Sequence, residues 1–272
     1  MAADGGTGDG ATQQMWARGR YEAVGERIAG VAAELVATVD DLRPLQGRDV
    51  VDLACGTGSV ALGAAKAGAR VTGVDITADL LGLAAAKADA AQSDPITWVR
   101  ADASATGLPD DSADVILSSM GIIFVEPAAQ VAEIARLLRA DGTLGFTSWV
   151  RATHNPFYDP IVSVLGRPRP EGADHSPDDW GVPDTVHARL AGDFDTVEID
   201  HRVHTWRFGT LETALHFISE ESPMHVDVLH RVSEMQHDRL MSAFEVALAP
   251  HTDADGAIAF DSPYVVVTAR RR

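Results

Sequence analysis

Apolar residues recur at helical spacing through residues 12–39, as in YEAVGERIAGVAAELVATV, and predict one or two amphipathic helices within residues 11–40. After the turn RPLQGR the period changes. Residues 49–54 read as a short apolar strand, 58–67 as a helix closed by Gly68, and 70–74 as a second strand. Residues 78–91 read as an Ala- and Leu-rich helix with Thr77 as its side-chain cap. ITWVRAD and ADVILSS predict a third and a fourth strand. PAAQVAEIARLLRADG predicts a helix that opens on proline and closes at Asp141-Gly142, and TLGFTSWV a fifth strand. Strand and helix alternating at this rhythm predict an α/β, doubly wound, mostly parallel sheet with helices on both faces.

From residue 151 the pattern is different. GRPRPEGADHSPDDWGVPD reads as a long loop, FDTVEIDHRVHTWRF as an alternating strand and SPYVVVTARRR as a terminal strand. Between those two strands, residues 210–257 read as a helical insertion. Its apolar side chains, together with Trp180, are candidates for one wall of an acceptor pocket. The expected organisation is a tail over residues 1–10, which reads as solvated and disordered, then a single domain over 11–272. That domain divides into N-terminal helices (11–40), a cofactor-binding core (48–150) and a substrate-side region (151–272).

Composition narrows the function. The chain has 272 residues and a formal net charge of −18, with no arginine cluster on one face, which argues against nucleic acid and anionic membrane surfaces as partners. No apolar run approaches the roughly 20 residues that span a bilayer. The N-terminus lacks the basic and apolar regions of a signal peptide. Cys55 is the only cysteine, so no internal disulfide forms, and a cytoplasmic location is expected. Cys55 reads as a small buried residue, because nothing near it in sequence would activate a thiol.

The chemistry concentrates in VVDLACGTGSVAL. Gly56 to Ala61 fits the G-x-G-x-x-A dinucleotide fingerprint, and Asp75 follows 19 residues after Gly56, so NAD is admissible. Asp52 argues the other way. An acid at the end of the first strand would repel a pyrophosphate at the helix N-terminus. S-adenosylmethionine carries no phosphate, and its ammonium and sulfonium would be attracted. A carboxylate at Asp75 can accept both ribose hydroxyls of either cofactor. Asp102, after the third strand, can accept from an adenine amino group while the Ala103 amide donates to a ring nitrogen.

With VTGVDIT, VRADASATGLPDDSADVILSS and EIARLLRADGTLGFTSW, the glycine turn completes four motifs in order. Over residues 50–150 the chain resembles class I S-adenosylmethionine-dependent methyltransferases, most nearly the ubiquinone/menaquinone-biosynthesis-type group. The resemblance implies a Rossmann-like seven-stranded sheet with an antiparallel last strand. It also implies methyl transfer to O, N or C of a small, partly apolar metabolite. By the same resemblance Asp52, Ala54, Gly56 and Gly58 would line the methionine end. Asp75 and Ile76 would hold the ribose and flank the adenine, and Asp102 and Ala103 would read the adenine edge. Ser118 would offer its carbonyl to the ammonium, and Met120 would pack near the sulfonium. Trp16 and Tyr21 would close over the cofactor. Ala54 departs from the family, where many members have glycine.

Methyl transfer from a sulfonium needs alignment first, and a base only where the acceptor must lose a proton. All ten histidines fall after residue 150, and His154, just past the fifth strand, is the leading candidate for a base. His201 and His204 fall on opposite faces of one strand, and the spacing of the helical histidines gives no zinc site. The expected partner is a small-molecule acceptor, with the protein a monomer or homodimer. Two other readings stay open: an NAD-dependent oxidoreductase, and a non-catalytic S-adenosylmethionine-binding module.

Overall fold

The computed structural model describes residues 13–166 and 175–272; the tail over residues 1–10 and residues 167–174 of the proline-rich loop lie outside them. In chain order the first elements are α1 (Tyr21–Arg27), α2 (Ala29–Leu42), β1 (Asp49–Leu53), α3 (Ser59–Lys66), β2 (Arg70–Asp75) and α4 (Ala78–Ala90). Then come β3 (Ile96–Arg100), β4 (Ala113–Ser119), α5 (Pro127–Leu137), β5 (Leu138–Trp149), α6 (Asp159–Leu165) and α7 (Pro183–Leu190). The chain ends with β6 (Phe194–Phe208), α8 (Leu211–His216), α9 (Pro223–Arg231), α10 (Glu234–Leu248) and β7 (Ile258–Arg271).

The strands form a seven-stranded sheet of order β3-β2-β1-β4-β5-β7-β6. β1 pairs in parallel with both β2 and β4, whereas β7 runs antiparallel to β5. Packing divides the chain into two compact units. The larger holds residues 28–151, 175–202 and 263–272; the described residues of the smaller are 13–27, 152–166 and 203–262.

In the larger unit the central strands are covered on both faces, so Val50 to Leu53 of β1 are all buried, as a parallel strand between helices requires. One face takes α2, whose Val31, Leu35, Val36 and Val39 are buried. That helix comes close because residue 145 is glycine: a Cβ there would stand 2.6 Å from Val39 Cγ2. Gly73 of β2 has the same reason, since a Cβ there would meet the Trp98 ring at 2.5 Å.

Three local expectations are corrected. The helix expected to run to Asp141-Gly142 ends at Leu137, and Leu138 already pairs with Ala113. The next recorded partners are Val115 and Thr143, so residues 139–142 form an irregularity with Asp141 at φ 61°. Thr77 stands at the N-cap of α4 but makes no side-chain cap bond; its backbone N–H donates to Asp75 Oδ1 instead. The proline-rich loop contains structure as well. A 3₁₀ turn covers Pro177–Gly181 and α7 follows, each with proline in its first turn, where a missing N–H costs nothing. Trp180 in that turn is fully buried, edge-on to Phe146 at 5.3 Å and stacked under the Arg189 guanidinium at 4.5 Å.

The smaller unit is built around Phe157, whose ring meets Trp206 at 5.2 Å, Phe260 at 4.8 Å and Phe217 at 5.8 Å. A π-turn, Phe217–Glu221, carries the chain out of α8. The N-terminal segment docks on it. Arg20 pairs with Glu221 and Arg18 with Asp227 at 3.0 Å, and Gly19, at φ +61°, has room for no Cβ beside the Glu221 carbonyl. His225 lies beside Phe157 and Phe244. Its Nε2 donates to the Phe157 carbonyl at 3.0 Å, which leaves Nδ1 to accept from Ser222 Oγ at 2.7 Å.

Burial lowers the His225 pKa to about 4, against the pull of the Phe157 carbonyl, so the ring is neutral in the folded protein. Between that value and the unfolded value near 6.5 the unfolded chain binds the extra proton, so stability falls as pH drops through this window. His225→Gln is expected to flatten that part of the dependence of Tm on pH. Equal slopes for both proteins between pH 7 and 4.5 would refute the assignment.

Candidate functional site

β1 and β4 are adjacent, but their chain connections lead to opposite sides of the sheet. This is the topological switch point, and open α/β sheets bind ligands there, outside the carboxyl ends of the strands. The loops after β1, β2, β3 and β4 leave from that edge; Asp52, Asp75 and Ser118 lie at the carboxyl ends of β1, β2 and β4, and Ala54, Gly56, Gly58, Ile76, Asp102, Ala103 and Met120 in the loops that follow.

The turn after β1 is bare because its backbone is left-handed. Ala54, Gly56 and Gly58 have φ of 53°, 54° and 82°. Glycine takes such angles without penalty, while Ala54 carries a strain of about 1–2 kcal/mol. Ala54 also faces Gly121 in the loop after β4, where a Cβ would lie 2.7 Å from Ala54 Cβ and 2.8 Å from its carbonyl oxygen. The two loops therefore pack backbone against backbone, and Gly121, which the motif reading passed over, is what allows it.

Two carboxylates hold this turn. Asp75, almost fully buried, accepts from the Gly56 amide through Oδ2 and from the Thr77 amide through Oδ1, both at 2.8 Å. Asp52 is more deeply placed than a strand-mouth acid facing a cofactor would be. It is 1% exposed and turns beneath the loop, where Oδ2 accepts from the Ala61 amide in the first turn of α3 at 2.9 Å. Its Oδ1 is buried with no partner among the described residues. Burial raises the pKa of Asp52 well above the carboxylate range and raises that of Asp75, against the amide bonds that each receives. Burial also pushes up the Cys55 thiol, with both acids adding to the effect, so Cys55 stays protonated and unreactive.

Ser118 acts through its side chain as well as its backbone. Its hydroxyl donates to the Leu53 carbonyl at 2.7 Å and accepts from the Ile122 amide at 3.1 Å, stitching β1 to the loop after β4. Met120 is buried with φ 57°, a left-handed conformation held in place by its amide, which donates to Thr147 Oγ1 at 3.1 Å. The Ser119 hydroxyl shares that Thr147 oxygen at 3.1 Å. Thr147 lies in the buried stretch of β5, inside the last of the four motifs, and the resemblance implied no role for it. After β3, Asp102 Oδ1 accepts from the amide and hydroxyl of Ser104, and the buried Ala103 carbonyl accepts from Gln130 Nε2 at 3.0 Å. Ile76 is partly exposed beside Asp75, and its carbonyl faces Arg100 Nε at 3.4 Å.

Trp16, Tyr21 and His154 belong to the smaller unit. The Trp16 and Tyr21 rings meet edge to face at 5.8 Å, and His154 is exposed in the loop before α6. Among the described residues no group of three or more His, Cys, Asp or Glu is arranged to hold a metal ion.

Residues 51–146, all within the larger unit, match a family of methyltransferase domains. A protein of Mycobacterium tuberculosis is 33% identical over 177 residues; the match covers 64% of this chain and 62% of the relative. The ubiquinone/menaquinone biosynthesis C-methyltransferase of Paracoccus denitrificans is 38% identical over 133 residues, 46% of this chain and 52% of the enzyme. Nocamycin O-methyltransferase of Saccharothrix syringae is 35% identical over 134 residues, 47% of each chain. Among solved structures, the YcgJ protein of Bacillus subtilis superposes with a TM-score of 0.57 at 17% identity, covering 88% of this chain and 98% of that one. A phosphoethanolamine N-methyltransferase of Haemonchus contortus, in complex with S-adenosylhomocysteine, does so with a TM-score of 0.53 at 18% identity, covering 87% and 52%. The fold is the one the sequence resemblance implied.

Thr147→Val keeps the shape of the side chain but leaves the buried Met120 amide without its acceptor. It is expected to destabilise the protein by about 1–3 kcal/mol. Urea denaturation checks this; an unchanged midpoint would show that the hydroxyl does not hold the loop.

Proposed function

We propose that the protein is an S-adenosylmethionine-dependent methyltransferase acting on a small, partly apolar metabolite. The observation that carries this is Asp52 Oδ1, a buried acceptor left unpaired beneath a turn with no side-chain bulk. A buried oxygen without a donor costs about 1–3 kcal/mol, and a cationic ligand entering above it would lower that cost. A diphosphate placed there would meet two buried acids, Asp52 and Asp75. The site therefore suits a nucleoside whose far end is cationic, and it disfavours NAD.

When bound, S-adenosylmethionine supplies a methyl group already activated on sulfur. The chain's own residues do the positioning. The glycine turn admits the methionine end, with Asp52 beneath it and the Ser118 carbonyl beside it. The lone pairs of Asp75 not engaged by Gly56 and Thr77 accept the ribose hydroxyls. Asp102 and the Ala103 amide receive the adenine edge, and Met120 packs toward sulfur. Trp16 and Tyr21 belong to the same reading. For acceptors that must lose a proton, His154 is the proposed base. Relatives named as C- and O-methyltransferases support the reaction class and leave the acceptor atom open. The proposed setting is the cytoplasm. Among the described residues no helix is long and apolar enough to cross a membrane.

Calorimetric titration with S-adenosylmethionine and S-adenosylhomocysteine tests the reading, and NADH is the control. Asp75→Ala should weaken both adenosyl ligands about tenfold through lost charge-assisted bonds of roughly 1.5–3 kcal/mol. No binding of either ligand by the unmodified protein would end the proposal. The raised pKa of Asp52 gives a second expectation. A cation arriving beside it lowers that pKa, so binding releases protons and affinity rises with pH. Titrations in buffers of different ionisation heats measure the release. Asp52→Asn should reduce it, and should weaken S-adenosylmethionine more than the uncharged-sulfur product. Equal weakening would place Asp52 in the fold alone.

A further inference from the structure

Helix α5 presents three polar side chains at every third position, Gln130, Glu133 and Arg136, and each grips the loop that leaves β3. Gln130 is fully buried and donates Nε2 to the Ala103 carbonyl at 3.0 Å. Glu133, also buried, accepts from the Thr106 amide at 2.9 Å and from its hydroxyl at 2.6 Å through one carboxylate oxygen. Arg136 bonds both Glu133 oxygens, at 2.7 and 2.8 Å, and donates to the Leu108 carbonyl at 2.8 Å and to Asp110. The order along the helix (130, 133, 136) follows the order along the loop (103, 106, 108–110), so the loop is fastened to one helix face point by point.

This is an expensive way to hold a loop. Gln130 makes one bond, while its Oε1 is buried with no partner among the described residues. The amide cannot be turned to relieve this, because the Ala103 carbonyl requires a donor. An apolar side chain of similar volume would avoid that cost of about 1–3 kcal/mol but would leave the Ala103 carbonyl without its donor, so the residue is there to hold that carbonyl. Burial works against the Glu133 charge, yet bonds from Arg136 and Thr106 outweigh it and hold the pKa at about 2. The brace is therefore ionised at neutral pH.

We infer that Gln130 is a positioning residue for adenine recognition: it fixes the Ala103 peptide from behind, supported by the Glu133–Arg136 pair, and so sets how strictly the site selects a 6-amino purine. The inference rests on the cofactor reading above. The Ala103 carbonyl shares one rigid peptide plane with the Ser104 amide, which donates to Asp102 Oδ1 at 2.6 Å, so anchoring the carbonyl restrains Asp102 and the adjoining peptide that carries the Ala103 amide. Chemistry at the methyl end is untouched by this brace.

The test is calorimetry on the full chain with S-adenosylhomocysteine and with S-inosylhomocysteine, which carries a 6-oxo group in place of the 6-amino group. The unmodified protein should favour the adenine form. Gln130→Met leaves the Ala103 carbonyl without its donor and should bind the adenine form about tenfold more weakly, with a smaller change for the inosine form. Amide exchange in residues 101–108 should quicken. Thr106→Val, which removes the hydroxyl bond and leaves only the amide bond to Glu133, should narrow the discrimination in the same way, and it serves if the first variant does not fold. Unchanged affinity and discrimination would overturn the inference while leaving the cofactor reading intact. Equal weakening of both ligands with a lowered Tm would also overturn it, by showing a general structural role. Failure of the unmodified protein to bind either ligand would remove both.

Discussion

The turn after β1 cannot hold itself. Its residues carry almost no side chain, its φ angles are left-handed at three positions, and beyond the Cys55 amide bond to the Val74 carbonyl and the Gly58 amide bond to the Cys55 carbonyl it needs outside acceptors. Asp75 reaches across from β2 to the Gly56 amide, and Asp52 reaches from β1 to the Ala61 amide. Everything else at this edge depends on those two bonds. They set the entry of α3, and the backbone approach of Ala54 to Gly121 then fixes the distance between the loops on either side of the switch point. Both carboxylates are buried to do this, and burial raises both pKa values. The side chains that hold the turn are therefore the same ones proposed to meet a cationic cofactor.

The other loops of the edge repeat the principle with neutral groups. Hydroxyls of Ser118 and Thr147 satisfy the backbone after β4, where the positive φ of Met120 would otherwise be unsupported. The loop after β3 leans on a helix face. In each case a polar side chain from a regular element satisfies the amide or carbonyl of an irregular one. Rigid elements thus position an edge made mostly of backbone, as suits the proposed reaction, which asks for alignment before acid–base chemistry.

The smaller unit is put together differently. An aromatic cluster around Phe157 and a neutral His225 form its interior, and arginines of the N-terminal segment pair with acids of the insertion. Residues far apart in sequence, from 18 to 231, therefore share one packed body.

Much of the larger unit could be read from the sequence. Apolar runs gave β1 to β5, helical periodicity gave α2 to α5, and an acid after each of the first three strands marked the edge that matters. Those features are local: they report which face of a segment is buried and where it must turn. The errors were local too. The end of α5 was misplaced because Leu137 and Leu138 are both apolar, so periodicity does not say which closes the helix and which starts the strand. Helix α7 was read as loop because prolines that begin a helical turn look like prolines that break one.

What the sequence could not decide was partnership. That Asp52 turns under the loop toward Ala61, that Gly121 clears space for Ala54, that Thr147 supports Met120 and that Gln130 stands behind Ala103 all join segments brought together only by the strand order. A residue's type limits which hydrogen bonds it can make; the fold decides which donor or acceptor is within 3 Å once water is excluded. The chemistry of this edge was fixed by its amino acids, and the division of each acid between holding the fold and facing a ligand was fixed by the tertiary structure.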